Sequence, residues 1–346
     1  MTSSAPNGEA FAITTHNLRK EFRRIVRSPG LRGLVESIGG RTRATVTTAV
    51  QSLSLQVRAG ERIAFIGPNG SGKSTTIKML TGILHPTSGD ASVLGFNPWR
   101  QRKELAYHLG SVFGQKSQLW FHLPPMETFF LLARIFELEE QTWRSRLDLL
   151  VDAFGIRPYL HTPVRKLSLG ERMRCEVVAS LLHRPSLLLL DEPTIGLDVV
   201  AKATLREHIR DANLRDGTTI FITSHDAGDV EMLAERVIVI AEGEAMFDGP
   251  VAELRRRYLR TKRLEARFAE PLTEAAMTTL RNHPDAPWKM VAFTEFSVTL
   301  DLDTSRPEAA RDAMAWLGDQ HAIEDITIAE PPLEEVIRII YEEEST

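Results

Sequence analysis

Nine consecutive residues, Gly67-Pro68-Asn69-Gly70-Ser71-Gly72-Lys73-Ser74-Thr75, combine three glycines, a lysine and a run of hydroxyls in the spacing G-x-x-x-x-G-K-[ST]. Such a loop turns backbone N–H groups into one concavity. A helix starting there adds the positive end of its dipole, so phosphate oxygens are held without ordering long side chains. In this pattern Lys73 reaches the β- and γ-phosphates and Ser74 offers its hydroxyl to Mg²⁺. A dinucleotide fingerprint is excluded, because G-x-G-x-x-G read from Gly70 meets Thr75 where the third glycine belongs. Farther along, the apolar run of residues 187–190 ends in Asp191 and Glu192. A carboxylate at a strand end suits metal coordination through water, and its neighbour suits a general base that polarises an attacking water. Together the two segments predict hydrolysis of a nucleotide and not binding alone.

The elements that must position these groups follow from hydropathy. Residues 13–22 and 52–57 read as strands, 62–66 as a short apolar strand, 74–84 as a helix, and 187–190, 219–223 and 237–240 as further strands with helical sequence between them. That alternation predicts an α/β domain over 12–255 with a mixed, largely parallel sheet, interrupted by a helical subdomain from about residue 116 to 180. Residues 23–45 carry six arginines and two Gly-containing turns around a short helical stretch at 31–38. They read as an inserted basic loop, either a solvated surface hairpin or a contact with a membrane partner or lipid headgroups. Residues 256–263 read as a basic linker. Beyond it, the order βαββαβ with a last helix predicts a small α+β domain of the split βαβ, ferredoxin-like kind over 264–346. Its helices are marked by Ala310, Ala313, Met314 and Leu317, and by Leu333, Val336, Ile337 and Ile340, at helical spacing.

Composition bounds the class. The 346 residues are 42% hydrophobic and 25% charged, the balance of a globular protein of two domains at ~150 residues each. No apolar run approaches the ~20 residues of a membrane span. Residues 1–11 read as a flexible N-terminus without a secretory signal, which makes a cytoplasmic address the default. A single cysteine, Cys175, excludes an internal disulfide or a Cys-based zinc site, and the ten histidines contain no H-x-x-x-H pair. The net charge of −4 hides an asymmetry: residues 264–346 hold 18 acidic and 6 basic side chains, net −12, which leaves +8 for residues 1–263. A positive half suits an anionic partner, and charge alone does not choose among nucleotide, nucleic acid and headgroup.

Over residues 12–255 the chain resembles the nucleotide-binding subunits of ABC transporters. Leu167-Ser168-Leu169-Gly170-Glu171 is similar to the family's signature motif and stands in the family's order, after the phosphate loop and before Asp191. Leu169 replaces the usual glycine and Glu171 the usual glutamine, while Ser168 and Gly170, expected to touch phosphate, are retained. The resemblance implies a P-loop ABC ATPase fold, ATP and Mg²⁺ as ligands, and further site residues. Gln115 matches the Q-loop glutamine that meets Mg²⁺ and relays nucleotide state. Asp198 matches the D-loop aspartate, and His225 the switch histidine that hydrogen-bonds the γ-phosphate. Phe22 stands where an aromatic stacks on adenine, although a strand-end Phe also suits a core.

Two copies closing head to tail around two ATP molecules are implied, with Ser168 and Gly170 acting across the interface. Separate integral membrane permease subunits are implied as the load, seated near Trp120 and Phe121, residues that a buried core could equally absorb. The phrases 167–174, 114–115, 194–198 and 330–336 look most like the type-2 exporter branch, at the cytoplasmic face of the membrane. An importer ATPase with a regulatory C-terminal domain is the alternative. A soluble ABC ATPase acting on DNA or ribosomes is disfavoured by one cassette and no sustained heptads, and no nucleic-acid partner is expected.

Overall fold

The computed structural model describes residues 11–26, 43–114, 117–224, 226–258, 261–281 and 286–343. The chain enters through a long hairpin, β1 (Phe11–Val26) and β2 (Arg43–Arg58), paired antiparallel from Phe11↔Arg58 to Val26↔Arg43. This ladder runs on through both flanks of the stretch read as an inserted loop: Arg23 faces Val46 and Arg24 faces Thr45. β-Branched Thr45, Val46, Thr47 and Thr48 supply the strand propensity that the arginines obscured. Residues 27–42, including the helical stretch expected at 31–38, lie outside the described residues, as do residues 1–10; Phe11, expected in the flexible N-terminus, already belongs to β1.

Strand β3 (Arg62–Ile66) buries Ile63, Ala64, Phe65 and Ile66. It lies between parallel neighbours β7 (Thr219–Ser224) and β8 (Arg236–Ala241), and beyond β7 follow β6 (Leu187–Asp191) and β5 (Leu109–Phe113), also parallel. With β4 (Ser88–Val93) on β1 and β9 (Glu244–Pro250) between β2 and β8, the nine-stranded order is β4-β1-β2-β9-β8-β3-β7-β6-β5. Strands covered on both faces read as continuous apolar runs, which is why β3, β6 and β7 are legible. Strands β4, β5 and β9 carry Ser, Gly and Asp and make no such run.

Helix α1 (Lys73–Leu80) follows β3 and stops four residues short of the expected end, where Thr81 and Gly82 turn the chain out of the helix. Then come α2 (Arg102–Ala106), and α3 (Pro125–Ile135), α4 (Glu140–Ala153) and α5 (Leu169–Leu181), which make up the expected helical segment. Phe129 and Phe154 are fully buried there, whereas Trp120 and Phe121 are 50% and 52% exposed and build no core. Helices α6 (Val199–Asp216) and α7 (Ala227–Leu233) complete the crossovers. No helix among the described residues is long and apolar enough to cross a membrane.

The chain divides into a second compact unit after Val251. The described parts of the run read as a linker belong to regular elements: Arg256 and Arg257 to α8 (Val251–Tyr258), and Lys262 and Arg263 to β10 (Thr261–Phe268). Arg263 is neutralised by Asp301 at 2.9 Å and Glu335 at 2.8 Å, so its charge marks an ion pair and not a spacer. After α9 (Glu274–Arg281), β11 (Trp288–Phe293), β12 (Ser297–Asp303), α10 (Ala309–Gln320), β13 (Ile323–Ala329) and α11 (Leu333–Glu343), the four strands order as β11-β12-β10-β13. Every pair is antiparallel, so β10 and β11 run parallel with β12 inserted between them, and β12 and β13 run parallel with β10 inserted: two split βαβ units. Leu264, Phe268, Val298, Leu300, Ala313 and Leu317 share its core; Met314 is 37% exposed, and Ala309 takes the buried place on α10.

Candidate active site

Strand register assembles the site. Ile66 at the end of β3 faces Ser224 at the end of β7, Thr223 faces Asp191 at the end of β6, and Asp191 faces Phe113 at the end of β5. Four parallel strands therefore finish at one edge, where chain reversals of an α/β sheet place ligand-binding loops. Residues 67–72 leave β3 there. Gly72 caps α1 with φ 106°, and a Cβ on it would lie 2.4 Å from the carbonyl oxygen of Ala49 on β2, so only glycine lets the loop pass. Among the described residues no side chain caps α1, which leaves its first N–H groups open to an external acceptor. Ser71 Oγ is buried and without a partner among the described residues. A concave, uncapped helix start with an orphaned hydroxyl fits a bound phosphate chain.

Lys73 folds back over this loop, its Nζ donating to the carbonyl oxygens of Gly67 at 2.6 Å and Pro68 at 3.1 Å. Burial pulls its ammonium below the ordinary lysine value, while the Glu192 and Asp191 carboxylates oppose that pull. Ser74 Oγ donates to Asp191 Oδ1 at 3.1 Å, and Thr223 Oγ1 donates to the same oxygen at 2.7 Å. A hydroxyl and a carboxylate oxygen thus converge, a hard donor set that suits Mg²⁺. Next to Asp191, Glu192 is held by its own N–H, which donates to the carbonyl oxygen of Thr223 at 3.0 Å. Its φ is 52°, a left-handed conformation that costs a non-glycine residue roughly 1 kcal/mol and turns its side chain off the strand's alternation. Such strain concentrates at functional positions.

Ser168 and Gly170 lie elsewhere in the chain. Ser168 caps α5 in a reciprocal box: its Oγ accepts from the N–H of Glu171 at 3.3 Å, and Glu171 Oε2 accepts from the N–H of Ser168 at 2.8 Å. Glu171, the departure from the family's glutamine, therefore has a structural use. Burial opposes its ionisation, but hydrogen bonds from Ser168 and Tyr159 and the nearby Arg174 hold it below the usual carboxylate range. Asp198 likewise caps α6, its Oδ1 accepting from the N–H of Ala201 at 2.9 Å. Both helix starts open on one cavity of about 490 Å³ lined by Ser168, Gly170, Asp198, Arg174 and Thr204, and by no residue of the phosphate loop. Leu169, the other departure, is matched by Gly196: at φ 72°, a Cβ there would lie 2.8 Å from Leu169 Cδ2.

Gln115 and His225 lie outside the described residues. The ground beside His225 is described, and sequence reading missed it. Asp229, fully buried, accepts from Arg206 Nε at 2.7 Å, Thr194 Oγ1 at 2.6 Å and Ser224 Oγ at 2.5 Å, and Asp226 accepts from Arg206 Nη2 at 2.8 Å and Lys202 Nζ at 2.5 Å. This network ties the segment after Glu192 to the end of β7. Burial opposes ionisation of Asp226, and Lys202 and Arg206 overcome it to hold the carboxyl below its usual range. Its bonded partners are 5 to 35 positions apart and form no linear motif; the one legible sign was two basic residues at i, i+4 on α6. Phe22 is 43% exposed and pairs with Thr47, two positions along β2 from the Ala49 that meets Gly72; Lys20 Nζ sits 5.3 Å from its ring centroid. It is a surface aromatic near the phosphate loop and not a core residue.

The ABC transporter family model matches residues 50–195. The chain is 32% identical over 209 residues to the ABC transporter ATP-binding protein NatA of Bacillus subtilis, covering 60% of this chain and 85% of that one. It is 33% identical over 209 residues to the bacitracin transport ATP-binding protein BcrA of Bacillus licheniformis, covering 60% and 67%. Among solved structures, a dimeric ATP-binding cassette in a post-hydrolysis state with ADP and Pi superposes with a TM-score of 0.57 at 21% identity, over 69% of this chain and 98% of that one, a likeness of fold.

Proposed function

The chain belongs to the ATP-binding, ATP-hydrolysing subunits of ABC transporters, and from that premise we propose that it works as a head-to-tail pair driving export through separate permease subunits. The observation that carries the pairing is the separation of two half-sites. The phosphate loop and Asp191 converge within the chain, while Ser168, Gly170 and Asp198 line an open cavity of their own. Each half complements the other across a two-fold interface, so two copies build two complete sites.

In this reading Lys73 and the N–H groups at the start of α1 neutralise the β- and γ-phosphates of ATP, and the orphaned Ser71 Oγ gains a partner. Ser74, Asp191 and Gln115 hold Mg²⁺, which supplies positive charge to the phosphate oxygens when bound. Glu192, turned off its strand by its left-handed backbone, accepts the proton of the attacking water, and His225 steadies the γ-phosphate. Asp198 and the α5 start, with Ser168 and Gly170, close the second face and exclude water. Phe22, beside the loop, stacks on the adenine. Trp120, Phe121 and Leu123, all exposed, offer an apolar seat for cytosolic helices of a permease, which would hold the pair at the cytoplasmic face of the membrane. The type-2 phrases support export, as does the Nod factor export name of a relative from Neorhizobium galegae, 34% identical over 207 residues.

The test is the association state of full-length Glu192→Gln with MgATP by light scattering after gel filtration. A dimer that dissolves when ATP is removed is expected; a monomer at saturating MgATP refutes the pairing.

A further inference from the structure

Helix α5 carries a carboxylate where an amphipathic helix would place an apolar residue. Glu176 is 4% exposed, in a run with Met173, Cys175, Val177 and Val178 that is otherwise buried and apolar. A buried carboxylate is costly unless its oxygens are satisfied. Here its hydrogen-bond partners lie in the segment that follows β5, with Arg172 adding a favourable charge. Glu176 Oε1 accepts from Ser117 Oγ, and Oε2 accepts from the N–H of Gln118 at 3.1 Å. Gln118 Nε2 donates in return to the main-chain oxygen of Glu176 at 2.9 Å. Ser117 Oγ also accepts from the N–H of Leu119 at 3.2 Å, and Leu119 is buried. Burial pushes the Glu176 carboxyl up, while Ser117 and Gln118 oppose that rise.

Both ends of this clasp lead to nucleotide-site elements. On one side, β5 lies beside β6, and the N–H of Gly114 donates to the main-chain oxygen of Asp191 at 2.9 Å. On the other, Glu176 stands eight helical steps from Ser168, about 12 Å along a rigid axis. A strand end next to the Asp191-Glu192 pair is thus latched to the helix that starts at Ser168. An alanine at this position would fill the helix face but would not select one register of the 117–119 segment; a carboxylate with two fixed donors does.

We infer that Glu176 is a positioning residue: its clasp on Ser117 and Gln118 makes the segment leaving β5 and the Ser168-bearing helix move as one body. Hydrolysis geometry at a chain's own phosphate loop is thereby coupled to the face that the same chain presents to its partner's triphosphate. Glu176 touches no substrate in this role. The inference rests on the head-to-tail reading above.

The experiment uses full-length protein carrying Glu176→Ala, Glu176→Gln or Ser117→Ala. Amide hydrogen exchange at residues 118 and 119, ATPase kcat and KM, and MgATP-dependent dimerisation with Glu192→Gln in the same chain are measured. For Glu176→Ala, exchange at those amides rises and kcat falls about tenfold, within the range of site–site couplings, while KM for ATP stays within about twofold. Ser117→Ala gives a smaller fall, and Glu176→Gln, which keeps one acceptor, restores part of kcat. If Glu176→Ala fails to fold by circular dichroism, the Ser117→Ala and Glu176→Gln pair carries the same readouts. Raised exchange with kcat and dimerisation equal to the parent overturns the inference, as does unchanged exchange. Should Glu192→Gln alone stay monomeric, the head-to-tail reading fails and this inference falls with it.

Discussion

Two regions of the first unit are built from similar parts, a helix start with hydroxyls and a nearby carboxylate, yet they end in opposite states. At the phosphate loop, among the described residues, no side chain caps α1 and Ser71 Oγ has no partner, and Ser74 and Thr223 converge on Asp191. At the start of α5, Ser168 and Glu171 cap each other, and Asp198 caps α6. The first region has spare hydrogen-bonding capacity toward a ligand. In the second, side chains already occupy the N–H groups of Ser168, Glu171 and Ala201 beside an open cavity. Under the proposed pairing that difference is a division of labour: one half binds by itself, and the other becomes useful when a second copy brings it a phosphate.

Breaking the first half carries the largest effects. Glu192→Gln is expected to lower ATPase turnover about 10³-fold with nucleotide binding retained, the size of effect expected for a general base. Steady-state phosphate release checks it, and turnover near the parent's rate sinks the assignment. Lys73→Ala comes next, with ATP affinity lowered about 10²-fold for loss of a buried charge-assisted contact, as read by a fluorescent nucleotide analogue. Intact affinity would remove the phosphate-loop reading.

The second half predicts a different phenotype. Ser168→Ala should reduce kcat about tenfold or more while a single chain still binds ATP with parental affinity. Mixing Lys73→Ala with Ser168→Ala sharpens the comparison further. Random pairing leaves one intact site in half of the dimers, so about a quarter of parental activity returns. No recovery would mean that both motifs act within one chain.

The smallest effect is a pH dependence confined to the first half. Burial depresses Lys73, so in the free protein its charged form is present below the depressed value and lost as pH rises through it. ATP affinity should therefore decline on the alkaline side before an ordinary lysine at about 10.4 would titrate. Titrations between about pH 8 and 10 test this, with Lys73→Ala as the flat control. An affinity independent of pH in the parent would mean that Lys73 stays charged throughout.

Much of the site was legible because its chemistry is local. Residues 67–75 must be consecutive for their N–H groups to converge, and Asp191-Glu192 must follow an apolar run for the pair to leave a buried strand. The Arg206–Asp229 network and the Glu176 clasp escaped notice for the opposite reason. Their members sit 23 and 58 to 59 positions apart and acquire meaning from proximity alone. Charge misled in two places: the arginines beyond Phe22 hid a continuing ladder, and Arg263 looked like a linker until Asp301 and Glu335 neutralised it. Trp120 and Phe121 were open to either a core or a surface, and only packing exposes them.

By itself the sequence determined that a phosphate chain can be held at residues 67–75, that a carboxylate pair follows a buried strand, and that a βαββαβ unit ends the chain, since each depends on neighbours along the backbone. Tertiary structure alone decided which strand ends meet. Sheet register brings Asp191 opposite Thr223, 32 positions away, and Ile66 opposite Ser224, 158 positions away, and no property of a single segment specifies a pairing with another.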